Sequence, residues 1–217
     1  TNLEGYLSDY LKGAAETTEA YNYDYESDFT MLNDEDVIEA GEPCMAYYHF
    51  PADGVYVSEQ LLAAVESSDF GYKLDSDELY TDNYLYDDTS YFESIRSLYL
   101  EDNLSETRDD EYTDQYIDVN YDTATNELHD YATRLYSSEA SLAFLERFLT
   151  ATEEGSGIAA EDRKADEIME EARDIVQQEQ SSYIYEGLFI IEIYRYEGED
   201  ALYVYASYND PELGSEL

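Results

Sequence analysis

The sequence predicts a helix-rich α+β fold, with residues 1–217 as one acidic domain. Six segments place apolar residues at the spacing of an amphipathic helix, whereas the last fifth of the chain is rich in the Tyr, Ile and Val typical of strands. The chain is 43% hydrophobic and contains 26 Tyr but only 3 Pro and 10 Gly. We therefore expect a folded body with an aromatic core and not a disordered chain.

The six predicted helices follow one another up to residue 176. Each carries apolar residues three or four positions apart, so that one face is apolar. In chain order, the apolar faces run from Leu3 to Ala14 within residues 2–18, from Val57 to Val65, from Tyr91 to Tyr99 behind candidate caps at 88–90, from Leu128 to Leu135, from Leu142 to Leu149 between a cap at Ser137 or Ser138 and the break at 155–157, and from Ala165 to Val176.

The end of the chain predicts a β-hairpin at about residues 183–208. Residues 183–196 and 201–208 form its arms, and the Gly-Glu-Asp sequence at 198–200 forms its turn. Because a lone hairpin is only marginally stable in water, we expect it to pack on helices or to gain a third strand from Cys44–Phe50, which would make a small antiparallel sheet.

Charge is the most unusual property of the chain. It contains 54 Asp and Glu against 10 Lys and Arg, a formal net charge of −44, and residues 13–72 contain no basic residue. Charge of one sign at this density destabilises a compact state, so a chain that keeps it has either a use for it or a solvent that screens it.

Carboxylates and tyrosines alternate in three stretches, at residues 21–28, 75–88 and 109–122. We predict that carboxylates in and near these stretches imitate phosphates and that the tyrosines between them anchor a partner. The predicted phosphate-mimicking residues are Asp24, Glu26, Asp28, Asp34, Glu35, Asp36, Asp75, Asp77, Glu78, Asp82, Asp87, Asp88, Asp109, Asp110, Glu111, Asp114, Asp118 and Asp122. The predicted interface aromatics are Tyr21, Tyr23, Tyr25, Tyr80, Tyr84, Tyr86, Tyr112 and Tyr116.

Metal binding is not predicted. Asp118, Asn120 and Asp122 have the spacing of the first three ligands of a calcium loop, but Thr123 stands where the loop needs Gly and His129 where it needs Glu. A single cysteine excludes an intramolecular disulfide and a zinc site built on cysteine pairs. We expect no metal and no cofactor.

Catalysis is not predicted either. Cys44 with His49 or His129 would be the candidate nucleophilic pair, but we interpret Cys44 as a small packed hydrophobe, His49 as a strand residue and His129 as an exposed helix residue. With 54 carboxylates, a pair at the separation that a glycosidase needs is expected by chance.

No sequence run is apolar enough to span a membrane.

The sequence favours a non-enzymatic inhibitor that occupies the basic groove of a nucleic-acid-binding protein and does not itself bind nucleic acid. A charge of −44 equals that of on the order of 20 base pairs of duplex DNA. In general character the chain is similar to the small acidic antirestriction and anti-CRISPR inhibitors of phages and mobile elements, a likeness of composition that rests on no particular residue.

Two alternatives remain open from the sequence. One is an exported or surface-anchored bacterial binding protein, which would be extracellular; the mimic would act in the cytoplasm of an infected bacterium. The other is a salt-adapted protein, for which 3 Lys against 7 Arg is suitable but the excess of Tyr is not typical. The target and the compartment are not defined by the sequence, and a homodimer is compatible with it.

Overall fold

The computed structural model describes residues 29–67, 71–102, 114–196 and 200–210. Eight strands and four α-helices lie within these ranges. Their bounds are β1 (Phe29–Met31), α1 (Asp34–Ala40), α2 (Gly54–Ser67), β2 (Tyr72–Tyr86), β3 (Thr89–Asp102), β4 (Gln115–Tyr121), β5 (Leu128–Leu135), α3 (Ser138–Gly155), a 3₁₀ turn (Ala160–Asp162), α4 (Ala165–Gln177), β6 (Ser182–Glu186), β7 (Phe189–Tyr194) and β8 (Leu202–Tyr208).

All eight strands belong to one antiparallel sheet in the order β1-β2-β3-β4-β5-β8-β7-β6. Burial alternates along the central strands: in β4, Ile117 and Val119 are fully buried, whereas Asp118 and Asn120 are half-buried. This period of two is expected of a sheet that packs helices on one face.

Helices α2, α3 and α4 cover that face. They contact β4, β5 and β6 respectively, and their apolar sides join the strands in one large core. Large rings fill its centre, among them Tyr131 stacked on Phe148 at 4.5 Å and Phe50 against Phe189. The opposite face, which we call the open face, carries half-buried and exposed tyrosines and carboxylates on β2 to β8.

A second, smaller core lies at one end of the sheet. It joins α1 to the β2–β3 hairpin and to the loop that follows α1, through Leu32, Val37, Cys44, Leu85 and Phe92. The loop at residues 41–53 therefore connects the small core to the large one, which Phe50 enters.

The prediction of a helix-rich fold is wrong, because the chain is built on an eight-stranded sheet. Residues 91–99 and 128–135, predicted as helices, are strands β3 and β5. In β5 the cause is a β-bulge, at which Tyr121 pairs with Leu128 but Asn120 pairs with Asp130. The extra residue places the buried Leu128 and Tyr131 three positions apart, the spacing that indicates a helix.

Three predicted helices are confirmed. The segment from Val57 to Val65 is α2, that from Leu142 to Leu149 is α3, and that from Ala165 to Val176 is α4. Ser137 caps α3 as predicted, since its side chain accepts a hydrogen bond from the N–H of Ala140. The predicted helix at residues 2–18 lies outside the described residues.

The C-terminal prediction is correct only in part. β7 and β8 pair as antiparallel neighbours, but residues 183–196 form two strands, β6 and β7, which a turn with Gly187 at φ 56° separates. These strands extend the large sheet and do not form a small one. Residues 44–50 form a loop and not a third strand of the hairpin.

Candidate functional site

An acidic surface lies at the β1 margin of the sheet. β2 pairs with β1 only at residues 84–86, so the outer side of residues 73–82 has no partner strand among the described residues. We define the acidic edge as α1, β2 and the tip of the β2–β3 hairpin. Its exposed carboxylates are Asp34, Glu35, Glu39, Asp75, Asp77, Asp82, Asp87 and Asp88.

Apolar side chains are exposed among these carboxylates. Leu79 is 60% exposed, Tyr80 46% and Tyr86 45%, and Phe29 and Met31 on β1 are exposed as well. An exposed strand edge with apolar side chains is a surface that another chain can bind, and aromatic anchors within a polar rim are typical of interfaces.

The hairpin tip holds two carboxylates in an unfavourable backbone conformation. Asp87 and Asp88 have φ values of 47° and 63°, and both are exposed. A two-residue turn with both φ angles positive is the turn preferred between antiparallel strands, but Asn-Gly adopts it at lower cost than Asp-Asp. Backbone strain of this kind concentrates at functional sites.

Several of the edge carboxylates have internal partners: Asp36 accepts from the side chain of Asn33, and Glu78 from those of Ser76 and Tyr80. Asp34 accepts hydrogen bonds from Thr81 at 2.9 Å and from Asn83 at 2.7 Å, which attaches α1 to β2. Asp77 receives Arg96 through both of its oxygens, at 2.9 and 2.7 Å, and this guanidinium holds the pKa of the carboxyl below its usual range. The other edge carboxylates therefore carry most of the charge offered to a partner.

The structure brings together many of the predicted partner-binding residues. The acidic edge contains Asp34, Glu35, Asp36, Asp75, Asp77, Glu78, Asp82, Asp87, Asp88, Tyr80, Tyr84 and Tyr86. Ten further predicted residues lie outside the described ranges: Asp24, Glu26, Asp28, Asp109, Asp110, Glu111, Tyr21, Tyr23, Tyr25 and Tyr112.

The third acidic stretch is not part of this edge. Asp114, Tyr116 and Asp118 lie on or beside β4, which β3 separates from β2. Asp122 is fully buried and offers no surface to a partner, unlike the residues of the acidic edge.

Carboxylates and tyrosines also alternate on the open face. Burial raises the pKa of Asp118 and of Glu93, and burial together with Glu93 raises the pKa of Asp130 to about 7. Tyr84 and Tyr91 stack at 4.7 Å, as do Tyr194 and Tyr203 at 5.1 Å. Burial therefore penalises the charge of all three carboxyls, and Asp130 is partly protonated at neutral pH.

A different type of site lies where β4 ends and β5 begins. The chain has one cysteine and two histidines, and all three meet there beside a buried carboxylate. One ligand atom from each of the four side chains lies within 4.8 Å of the others. We call these residues the ligand cluster: Cys44, His49, Asp122 and His129.

Four of the six separations between the ligand atoms are between 3.6 and 4.0 Å, and all six are within 4.8 Å. Cys44 Sγ lies 3.6 Å from His49 Nε2 and 3.9 Å from His129 Nε2. Asp122 Oδ2 lies 3.8 Å from the first of these nitrogens and 4.0 Å from the second. The two imidazole rings stack with their centroids 4.6 Å apart.

Backbone hydrogen bonds fix the Asp122 carboxylate. Its Oδ1 accepts from the N–H groups of Ala124 at 2.7 Å and Thr125 at 3.0 Å, within the β4–β5 connection. Its Oδ2 accepts from the N–H of Cys44 at 2.7 Å. The carboxylate thus joins the loop after α1 to the β4–β5 hairpin and directs Oδ2 at the cluster.

Protonation in the cluster is the reverse of what a cysteine nucleophile needs. Burial, with the charge of Asp122, raises the pKa of the Cys44 thiol to about 11. Burial, with the neighbouring His49, lowers the pKa of His129 to about 3. A reactive cysteine has a lowered pKa beside a cationic partner, so this geometry does not support a nucleophilic pair.

The sequence-based interpretations of these residues are wrong for both histidines. His49 lies in a loop, and His129 is a buried residue of a strand bulge and not an exposed helix residue. Cys44 is buried as expected, but it contacts both imidazoles. The single Cys and both His of the chain lie at one place in the fold. Their proximity cannot be seen in the sequence, because Cys44 is 78 positions from Asp122 and 85 positions from His129.

No family model, curated protein or solved structure matches the chain in comparisons with known proteins. Among the described helices, none has both the length and the apolarity to cross a membrane.

Proposed function

We propose that this chain is a non-enzymatic acidic inhibitor whose acidic edge occupies the basic nucleic-acid-binding groove of a target protein. One observation carries the proposal. Two parts of the chain that are distant in sequence, residues 34–39 and 75–88, come together on one margin of the sheet, where exposed carboxylates surround exposed Leu and Tyr side chains.

Charge and shape have separate roles in this proposal. Exposed carboxylates steer the chain to a positively charged groove and compete for the Lys and Arg side chains that would contact phosphates. Charge alone gives little affinity at a solvated surface, so the exposed Leu79, Tyr80 and Tyr86 supply the apolar contacts that hold the complex.

The acidic edge contains few basic residues. The segments that form and support it, residues 29–40 and 72–102, contain two basic residues, Lys73 and Arg96. Arg96 is engaged by Asp77 and Glu59. A partner with a basic surface therefore meets little repulsion there.

Competition with duplex DNA tests this function. The wild-type chain is added to a panel of DNA-binding proteins, each bound to labelled duplex DNA, at low and at raised salt. We expect displacement of DNA from at least one member of the panel, with an affinity that falls as salt rises. Absence of displacement across the panel at low salt would refute the proposal. Unfolding of the chain in dilute buffer would instead identify salt adaptation as the use of the charge.

Two variants with equal charge change test the location. The edge variant combines Asp75→Asn, Asp82→Asn and Asp87→Asn. The control combines Glu170→Gln, Glu171→Gln and Asp174→Asn on the exposed side of α4. At roughly 0.5–1 kcal/mol for each lost ion pair, the edge variant should compete about ten- to a hundredfold less well. Equal loss in both variants would show that net charge matters and the edge does not.

A further inference from the structure

We propose that the ligand cluster binds one Zn²⁺ ion as a structural site. The proposal is independent of the acidic edge, from which the cluster differs in both burial and chemistry. The four side chains offer one sulfur, two imidazole nitrogens and one carboxylate oxygen. This is a donor set that Zn²⁺ accepts and that the oxygen-seeking Ca²⁺ and Mg²⁺ do not favour.

The distances fit a tetrahedral ion. With zinc bonds of roughly 2.0–2.3 Å, ligand atoms at the corners of a tetrahedron lie about 3.3–3.7 Å apart. The measured sulfur–nitrogen and nitrogen–oxygen separations run from 3.6 to 4.0 Å. These four separations exceed the tetrahedral range by a few tenths of an ångström at most, and the other two pairs of ligand atoms lie within 4.8 Å.

The surroundings of the cluster orient its ligands. Glu127 Oε2 lies 3.5 Å from His49 Nδ1, on the side of the ring away from the cluster, while Nε2 faces Cys44 Sγ at 3.6 Å. Outer carboxylates commonly hold zinc-binding histidines in this way. The two backbone hydrogen bonds to Asp122 Oδ1 hold the carboxylate in the same manner.

The environment of His129 also supports a metal site at the cluster. Its side chain is 1% exposed, and its Nδ1 has no hydrogen-bond partner among the described residues. A buried polar ring without full hydrogen bonding costs free energy, and native structures retain such groups where they serve a purpose. The other ring nitrogen, Nε2, faces Cys44 Sγ at 3.9 Å and Asp122 Oδ2 at 4.0 Å, and it is the atom that would coordinate the ion.

An ion at this position would connect separate parts of the fold. Two ligands come from the loop that joins the small core to the large one, and two come from the β4–β5 hairpin. Four protein ligands leave no open coordination position, as in structural zinc sites. When Zn²⁺ binds, the Cys44 thiol loses its proton to solvent and coordinates as the thiolate.

Cobalt and zinc titrations test the site. The full chain is stripped with a chelator and titrated with Co²⁺ alone, then with Zn²⁺ alone. Because the chain has a single cysteine, a thiolate-to-cobalt charge-transfer band can arise only from Cys44. We expect this band to saturate at one Co²⁺ per chain, to disappear when Zn²⁺ is added, and Zn²⁺ to raise the midpoint of thermal unfolding by several degrees.

Variants separate the cluster from general binding of cations by carboxylates. Cys44→Ser should abolish the band, and His129→Gln should weaken Zn²⁺ binding at least tenfold, whereas the α4 control variant should match the wild type. Absence of the band from the wild-type spectrum would overturn the proposal, and this result does not depend on any variant folding. Equal weakening by the α4 control would also overturn it, because the binding would then be diffuse.

Discussion

Gly54 is the residue at which the packing of α2 on the sheet can be tested most sharply. A Cβ atom at this position would lie 2.4 Å from the Cβ of Tyr121 and 2.9 Å from its Cγ. Carbon atoms in contact are normally about 3.5–4.0 Å apart, so Gly54→Ala requires a movement of more than 1 Å. The tyrosine Cβ moves only with its backbone, which lies in β4.

The helix cannot easily move away instead. The N–H of Gly54 donates to the carbonyl of Asn126 at 2.7 Å, and the neighbouring Asp53 forms a β-bridge with Glu127. Overpacking in a well-packed core lowers the free energy of unfolding by about 1–3 kcal/mol. Because Gly54 is held in place, we expect Gly54→Ala to lose about 3 kcal/mol or more. For a chain of this length, about 3 kcal/mol corresponds to a fall of roughly 6–12 °C in the midpoint of thermal unfolding.

Gly155→Ala is the matched control. Its Cβ would lie 3.4 Å from the Cβ of Ala52 and 3.7 Å from Tyr56, which is ordinary contact. Because Ala favours a helix over Gly, this variant should be neutral or up to about 1 kcal/mol more stable. Urea denaturation of both variants measures the difference. If Gly54→Ala is as stable as Gly155→Ala, the contact between α2 and β4 is not the one described.

Three further predictions concern charge and the hairpin tip. Arg96→Met should lower the free energy of unfolding by about 1–2 kcal/mol at pH 7, as measured by urea denaturation. The difference between variant and wild type should shrink as pH falls through the lowered folded-state pKa of Asp77, because protonation of Asp77 ends its ion pair with Arg96. Asp118→Asn should raise the midpoint of thermal unfolding by a few degrees at pH 7, since burial raises the pKa of Asp118 and penalises its charge. The gain should shrink as pH falls through the raised folded-state pKa and be lost below the unfolded-state pKa of an aspartate, about 3.9; a gain that persists in acid would assign it to packing. Asp87→Asn with Asp88→Gly should raise the free energy of unfolding by about 1 kcal/mol, because both new residues adopt positive φ more easily, and an unchanged urea midpoint would show that the tip is unstrained.

The sequence predicts the helices better than the strands. In α2, α3 and α4 the apolar spacing has no rival interpretation, and the Ser137 cap marks the start of α3. β2 has no clear strand pattern in the sequence, because its exposed margin carries carboxylates where a central strand would carry apolar residues. Its turn carries no Gly to indicate it, since Asp87 and Asp88 stand where Gly is expected.

The acidic edge and the ligand cluster differ in how much of each could be predicted from the sequence. Most carboxylates of the acidic edge could be named from the sequence, because local composition at 75–88 already concentrates carboxylates and tyrosines, but their position on the outer side of β2 could not. The ligand cluster could not, because it depends on the fold: Asp122 and His129 meet through a tight hairpin, and Cys44 arrives from a loop 78 residues away from Asp122. Interactions between distant segments leave no periodic signal in the sequence.

Hydrogen exchange of the complex tests the central claim, that the acidic edge is the binding surface. The chain is measured alone and bound to a DNA-binding protein that it displaces from duplex DNA. The account predicts that amides of α1, β2 and the hairpin tip become protected on binding, while those of α4 exchange as in the free chain. Protection centred on α4, or spread evenly over the acidic surface, would contradict it.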